Sequence, residues 1–248
     1  MYKQLIRKKH TLQYISDLHV DIHKTIPKIN VKSKYLAICG DIGNPKSRYW
    51  DETMCDVSKK FEKIFFVPGN HDYDLGCIYK KENDKYWTPI MSEICNKYKN
   101  IYLIDKTEHF LEEENIIIGG CTLWSDISLY NKIMERNYYE ESMKEHKSQV
   151  KWLSEFIKKN PNKKKVVLTH FVPTFKLIEE KYKKMYPKKI NFFATNLENL
   201  MCESIIAWLS GHTHSVIDHK INGVYCGINA YGYEKRENTD CVIDLQHN

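Results

Sequence analysis

A short apolar run that stops at a Pro-Gly pair constrains this chain more than any other feature. Residues 64–67 are apolar, and Pro68 and Gly69 are followed at once by Asn70, His71 and Asp72. Apolar runs of this length bounded by Pro and Gly are typical of buried strands. Gly69 allows a sharp turn because it carries no Cβ. The pattern predicts an amide, an imidazole and a carboxylate at the carboxyl edge of a sheet, where open α/β sheets bind ligands.

Four other predicted strands, over residues 12–15, 35–39, 166–168 and 205–209, run into polar residues in the same way. The side chains at their ends are, in chain order, Asp17 and His19, then Asp41, then His170, then His212 and His214. Residues two apart at a strand end point to the same side, so Asp17 and His19 are expected to bind one ion together. Taken alone, each pattern has an ordinary alternative, such as a surface Asp or a Gly-Asp turn.

The five strand ends together offer a set of oxygen and nitrogen ligands for metal ions. The candidate ligands are Asp17, His19, Asp41, Asn70, His170, His212 and His214. Mixed Asp, His and Asn sets suit divalent ions such as Mn, Fe and Zn, and they need no Cys. Seven ligands with one of them shared would supply four to each of two ions. The count therefore favours two metals over one.

This ordered set resembles the calcineurin-like metallophosphoesterases. Their signature is D-x-H, G-D-x-x-(D/N), G-N-H-(D/E), H and G-H-x-H, and all five blocks occur here in that order between residues 17 and 214. Single blocks are common, whereas the ordered set is highly specific. Residues 120–125 and the tail are similar to a bacterial-type, single-domain branch of roughly this length.

The resemblance implies a role for each matching residue. It places Asp17, His19 and His214 on a first metal and Asn70, His170 and His212 on a second, with Asp41 bridging the two. His71 would not bind metal. It would act as proton donor or transition-state stabiliser, oriented by Asp72; the alternative is a structural His bonded to Asp72.

The implied activity is hydrolysis of a phosphomonoester or phosphodiester by attack of a metal-bridging hydroxide. The expected cofactors are two divalent ions, Mn²⁺ first, with Fe, Zn or Ni as alternatives, and the expected partner is a small phosphorylated substrate. A nuclease or nucleotide phosphodiesterase is the second hypothesis, motivated by the formal net charge of +6. It ranks lower because a nucleic-acid groove favours Arg, and only four of the 38 cationic residues are Arg. A catalytically silent scaffold of the same fold ranks last, since no ligand is missing.

Two residues depart from the family pattern. Asn44 stands where many relatives have a second Asp, at a position that usually does not bind metal, so we expect a tuning effect. Phe171 stands where many relatives have another His, which puts one substrate contact in doubt. The Tyr-rich segment 130–139 and the Lys- and aromatic-rich segment 171–193 are predicted to line the substrate cleft, with ordinary variable loops as the equal alternative.

The resemblance implies a two-sheet α/β sandwich with helices outside, in four layers α-β-β-α. Residues 1–248 are expected to form a single domain, because no linker, repeat or low-complexity block divides them. Apolar periodicity predicts helices over residues 46–62, 89–98 and 140–159, and a shorter one near 197–203. Residues 73–86 are polar and predicted to be a loop, and residues 110–118 a hairpin.

The eight cysteines form no C-x-x-C pair, which favours reduced thiols in a cytosolic protein. The first ten residues lack the apolar core of a signal peptide, and no stretch approaches the ~20 apolar residues of a membrane span. The expected location is the cytoplasm, without membrane contact.

Overall fold

The computed structural model describes residues 8–73, 81–130, 136–236 and 240–246. The strands in these ranges are β1 (Lys8–Ile15), β2 (Ser33–Cys39), β3 (Lys63–Val67), β4 (Ile101–Leu103), β5 (Thr107–Leu111), β6 (Ile116–Cys121), β7 (Lys164–Thr169), β8 (Ile205–Ser210), β9 (Val216–Ile221), β10 (Val224–Asn229) and β11 (Val242–Asp244). The α-helices are α1 (Val20–His23), α2 (Arg48–Lys60), α3 (Lys81–Asn96), α4 (Arg136–Lys158) and α5 (Glu180–Met185).

The strands form two mixed sheets. The first has the order β11-β1-β2-β3-β4, and the second has the order β5-β6-β7-β8-β10-β9. In the first sheet β1 to β4 are parallel and β11 pairs antiparallel with β1. In the second, β6, β7, β8 and β10 are parallel, and the edge strands β5 and β9 are antiparallel to their neighbours. The carboxyl ends of the parallel strands therefore collect along one edge of each sheet.

Both faces of the central strands are covered, which explains their almost continuous apolar sequence. On β2, Tyr35, Ala37 and Cys39 pack in the layer between the two sheets. Leu36 and Ile38, which alternate with them, pack in the layer on the other side of the sheet. The period of two places successive side chains on opposite faces, so a short apolar run serves two layers at once.

The helices cover the outer faces of the sheets. Helix α2 begins after the N-cap Ser47, whose side chain accepts the Tyr49 amide, and buries Trp50, Met54 and Val57 against the first sheet. Helix α3 adds residues to the same cluster, whereas α4 and α5 contribute to the cluster on the second sheet. The expected four-layer α-β-β-α sandwich is confirmed.

Two helix predictions were wrong in their extent. Helix α3 starts at Lys81, eight residues before the expected start, and carries Pro89 in its interior. Residues 81–85 are polar and residues 81–88 show no apolar period, so the sequence pointed to a loop and to a helix start at Pro89. Near residues 197–203 the chain forms only the 3₁₀ turn Glu198–Leu200, because so short a segment does not sustain an isolated α-helix.

The seven cysteines within the described ranges are free thiols, and Cys77 lies outside those ranges. None of the helices in the described part of the chain combines the length and hydropathy that crossing a bilayer demands.

Candidate metal centre

The predicted ligands meet at the seam between the two sheets. Asp17 and His19 follow β1, Asp41 follows β2 and Asn70 follows β3, all from the first sheet. The second sheet contributes the segments after β7 and β8, which carry His170, His212 and His214. The site therefore draws on strand ends from both halves of the sandwich.

The first group of side chains consists of Asp17, His19, Asp41 and His214. Their candidate ligand atoms all lie within 4.8 Å of one another, and the first three residues are buried. Nε2 of His19 lies 3.0 Å from Nε2 of His214. His214 Nε2 is in turn 3.4 Å from Oδ1 of Asp17.

The second group consists of Asn70, His170 and His212, again with Asp41. Oδ1 of Asn70 lies 3.0 Å from Nε2 of His170 and 3.0 Å from Nδ1 of His212. His170 Nε2 is 3.3 Å from Oδ2 of Asp41. Asp41 thus belongs to both groups and stands where a shared ligand is required.

The hydrogen bonds on the far sides of the imidazoles show which nitrogens face the site with a lone pair. His170 Nδ1 lies 2.9 Å from the carbonyl oxygen of Cys39, and His212 Nε2 lies 3.3 Å from that of Phe192. A carbonyl only accepts, so those nitrogens carry hydrogen and the opposite ones carry lone pairs in the neutral rings. These lone pairs face the oxygens of Asn70 and Asp41, which are acceptors too. Such a convergence of acceptors suits a bound cation.

The first group meets the same test. Two imidazole nitrogens facing each other at 3.0 Å, from His19 and His214, have room for only one hydrogen between them, so at least one of the two presents a lone pair. His19 Nδ1 is buried and has no hydrogen-bond partner in the described structure. The donor chemistry of both groups therefore fits divalent metal ions.

Burial and neighbouring charges shift the pKa values of these groups. Burial lowers the pKa of His19 to about 3 and the pKa of His212 well below its usual range. Burial alone would lower the pKa of His170, but Asp41 raises it to about 9. Burial would raise the pKa of Asp41, but His170 holds it well below its usual value. A neutral His19 and His212 beside an ionised Asp41 suit metal binding, whereas His170, with its raised pKa, and Asp17, whose pKa burial raises, would each release a proton when a cation binds.

The backbone at the site adopts an unusual conformation. The φ angles are +56° at Asp17, +44° at His19, +56° at Asp41, +67° at His212 and +49° at His214. Non-glycine residues rarely occupy this left-handed region, and each such residue costs on the order of 1–3 kcal/mol. Asp17 and His19 lie together in the first group, but the expected reason, strand alternation, was wrong. Strand β1 ends before Asp17, and both residues have left-handed φ angles.

Two glycines allow the backbone to approach the ligands closely. A Cβ on Gly40 would lie 2.3 Å from Nδ1 of His170, and a Cβ on Gly69 would lie 2.2 Å from Oδ1 of Asp41. Both distances are shorter than any real contact, so only glycine fits. Gly40 also has a φ of +84°. These glycines set the position of Asp41 and His170.

Asp72 has partners other than the expected imidazole of His71. Its Oδ2 accepts the amides of Asp41 and Gly69, both at 2.8 Å. Its Oδ1 accepts the Gly43 amide at 3.2 Å and the indole N–H of Trp50 at 3.1 Å.

Burial raises the pKa of Asp72 to about 7, the charge of Asp41 raises this pKa further, and the N–H donors lower it. Asp72 therefore ties the loops carrying Asp41 and Asn70 together, and the predicted contact with the His71 ring is not found among the described residues.

The two departures from the family pattern have clear positions. Asn44 Oδ1 accepts the Lys46 amide at 2.9 Å and so supports the turn before α2. Phe171 packs on His212, with ring centroids 4.0 Å apart. The Phe171 ring therefore supports the imidazole of His212, one of the candidate ligands.

One of the two segments predicted to line the cleft reaches the site directly. The Phe192 carbonyl contacts His212, and the Phe193 ring lies 5.5 Å from that imidazole. This segment also contains 3₁₀ turns and helix α5. Trp124, which precedes the other segment, packs against Phe171 with ring centroids 5.2 Å apart, and residues 131–135 of that segment lie outside the described ranges.

Two residues at the site are absent from the predictions. Ser16 Oγ donates to Oδ2 of Asp17 at 2.5 Å. The ring of Tyr233 lies 4.5 Å from those of His19 and His214. Tyr233 follows β10, which is parallel to β8, so its strand end belongs to the same sheet edge. That topological rule could have identified it, had β10 been placed beside β8.

Comparison with known proteins agrees with this architecture. The family model described as calcineurin-like phosphoesterase matches residues 13–216. The chain is 30% identical over 263 residues to uncharacterized protein L509 of Acanthamoeba polyphaga mimivirus, covering 92% of both chains. The crystal structure of phosphopantetheinyl hydrolase from Mycobacterium tuberculosis has the same fold, with a TM-score of 0.62 at 14% identity and coverage of 92% of this chain and 90% of that one.

The match to the family model extends over most of the chain and includes all five strand ends that build the site. The fold and the arrangement of the ligand groups lead to the same assignment. The chain belongs to the calcineurin-like phosphoesterase family.

Proposed function

We propose that this protein is a dinuclear metal-dependent phosphoesterase that hydrolyses a phosphomonoester or phosphodiester of a small molecule. The observation that carries the proposal is the position of Asp41. Its carboxylate belongs to a cluster with Asp17, His19 and His214, and it also lies 3.3 Å from His170 in the second cluster. A carboxylate has two oxygens and a full charge, so it can serve two ions at once.

When bound, two divalent ions would activate water and neutralise the phosphoryl oxygens of the substrate. The first ion would be held by Asp17, His19 and His214, and the second by Asn70, His170 and His212, with Asp41 common to both. The amide of Asn70 adds no charge to the second group. The fewer negative ligands at this position favour the approach of an anionic substrate.

His71 is the proposed proton donor to the leaving group. Its backbone amide donates to Oδ1 of Asp41 at 2.8 Å, which fixes the residue beside the shared carboxylate. Its ring lies 4.6 Å from that of His19. A histidine at the rim of the ligand cluster can donate a proton to an alkoxide without binding metal itself.

We also propose that residues 1–248 form one domain. The site requires strand ends from the first sheet and from the second, over positions 17 to 214. Neither sheet carries the complete ligand set.

The test is hydrolysis of bis(p-nitrophenyl) phosphate and p-nitrophenyl phosphate by chelator-stripped protein, before and after addition of Mn²⁺. We expect hydrolysis of at least one ester that depends on added metal. Preference for the diester would identify a phosphodiesterase and lead next to cyclic nucleotides and nucleic acids. Preference for the monoester would identify a phosphatase. Metal-loaded protein that cleaves neither ester nor any wider panel of phosphate esters would refute the proposal and favour a scaffold role.

A further inference from the structure

Tyr233 lies in a turn that is built against the metal-site backbone. The Tyr231 amide donates to the Ser16 carbonyl and the Gly232 amide to the Asp17 carbonyl, both at 2.9 Å. The Arg236 guanidinium donates to the His214 carbonyl. Three hydrogen bonds to backbone carbonyls, two from backbone amides and one from the Arg236 side chain, therefore fix this turn relative to the candidate ligands Asp17 and His214.

The aromatic ring of Tyr233 stands among three histidines. It stacks on His19 with centroids 4.5 Å apart and planes inclined by 26°. It meets His214 edge-on at 4.5 Å and His71 edge-on at 6.5 Å. The side chain is about half exposed (53%), so its other side borders the solvent from which a substrate arrives.

The hydroxyl of Tyr233 lies 3.4 Å from Nε2 of His71. In the described part of the chain, this hydroxyl is the side-chain group within hydrogen-bond distance of the His71 ring. The next residue in sequence, Asp72, does not contact the ring, because its two carboxylate oxygens accept hydrogen bonds from four other N–H groups. The backbone of His71 is fixed by Asp41, but that contact leaves the two side-chain torsions of the ring free.

We propose that Tyr233 is the positioning residue for His71, holding the Nε2 side of the imidazole through its hydroxyl while its ring packs on His19. The kinetic part of this inference rests on the proposed phosphoesterase function. The phenol hydroxyl both donates and accepts, so it can pair with His71 whichever ring nitrogen carries the proton. The ring contact with His19 fixes the direction in which the hydroxyl points.

A positioning role has a distinct kinetic signature. Orientation of His71 matters where the leaving group needs a proton, as an alkoxide does, and matters little for p-nitrophenolate, which leaves unprotonated. A purely structural or binding role would slow all substrates alike. Tyr233→Phe separates the two functions of the side chain, because it keeps the ring on His19 and removes only the hydroxyl.

The kinetic test compares alkyl and p-nitrophenyl phosphate esters in Mn²⁺-reconstituted Tyr233→Phe, His71→Ala and the double variant. We expect kcat of Tyr233→Phe to fall about tenfold for the alkyl ester and less than about twofold for the aryl ester, with KM unchanged. His71→Ala should show the same selectivity with a larger loss, and adding Tyr233→Phe to it should cause no further loss. Tyr102→Phe is the matched control, since that ring contacts His109 at 4.1 Å away from the site.

A second readout does not depend on turnover. In metal-free protein with ¹⁵N-labelled histidine, we expect Tyr233→Phe to shift the ring nitrogen resonances of His71 and Tyr102→Phe to leave them unchanged. Unaltered His71 resonances, or equal losses on both esters, would overturn the positioning role. An inactive wild-type protein with shifted His71 resonances would refute the proposed function and leave the Tyr233–His71 contact standing.

Discussion

Oδ2 of Asp41 lies 3.3 Å from Nε2 of His170, and this pair joins the end of β2 in the first sheet to the end of β7 in the second. The two residues are 129 positions apart in the chain and fully or almost fully buried. The site therefore exists only when the sandwich is closed. Changes that shift either strand end should affect metal binding before they unfold the protein.

Asp41→Asn should abolish most of the activity. The substitution preserves shape but removes the charge and one metal-binding oxygen from the shared position, so we expect kcat/KM to fall by at least about 100-fold. The measurement is Mn²⁺-dependent hydrolysis of the p-nitrophenyl esters, with circular dichroism to verify the fold. Asp56→Asn makes the same chemical change on α2 away from the site, where the half-buried Asp56 pairs with Lys60, and this variant should turn over substrate normally. A folded Asp41→Asn protein as active as wild type would remove Asp41 from its proposed role.

Asn70→Asp should tighten metal binding and weaken substrate binding. The amide oxygen contacts both His170 and His212 at 3.0 Å, so a carboxylate there would add a negative charge beside the second ion. We expect KM for an anionic ester to rise about tenfold, through repulsion at short range. Steady-state kinetics and Mn²⁺ titration measure the two effects. Asn96→Asp adds the same charge near the end of α3 and should alter neither; an unchanged KM in Asn70→Asp would contradict the electrostatic reasoning.

Asp72→Asn should destabilise the fold more than it changes proton transfer. The carboxylate accepts four N–H groups in a buried site, and an amide would turn its own N–H₂ group toward some of them. We expect a loss of about 3 kcal/mol in the free energy of unfolding, measured by urea titration of the metal-free protein. The control is Asp51→Asn on α2, a half-buried residue paired with Lys97 and with the Tyr98 hydroxyl, which should cost about 0–1 kcal/mol because both partners can reach water. Equal stability of the two variants would mean that the Asp72 hydrogen bonds contribute little.

Gly69→Ala should weaken metal binding through a steric clash. The added Cβ would lie 2.2 Å from Oδ1 and 2.5 Å from the backbone nitrogen of Asp41, and backbone cannot move aside cheaply. We expect Mn²⁺ affinity to fall at least about tenfold. Gly223→Ala is the matched control: its φ is +84°, but no atom lies within 4 Å of the new Cβ, so it should cost about 1 kcal/mol of stability and no metal affinity. Tight metal binding by Gly69→Ala would show that the loop adapts.

The sequence predicted the parts of this protein that depend on local pattern. Apolar runs ending in Gly and polar residues identified β2, β3 and β8, because the pattern of a buried strand and its following turn lies within a few adjacent residues. The ordered motifs also indicated the family. The structure then placed Asp41 and His170 at one seam.

The remaining features depend on contacts between distant residues. Asp72 was expected to serve its neighbour His71, whereas its partners include Trp50 and Gly43, whose approach only the packed fold reveals. Tyr233 follows no motif and reaches the site because β10 lies beside β8. The left-handed backbone of Asp17 and His19 is likewise a feature that the apolar pattern of the chain does not indicate.

The most direct test of the dinuclear centre is the number of metal ions bound per chain. Chelator-stripped wild-type protein is titrated with Mn²⁺ by calorimetry, and the bound metal is counted by elemental analysis after desalting. Two ions per chain, falling to one in His170→Ala, is the predicted result, because that variant removes a ligand from the second group alone. Zero or one ion in the folded wild-type protein would contradict the dinuclear centre.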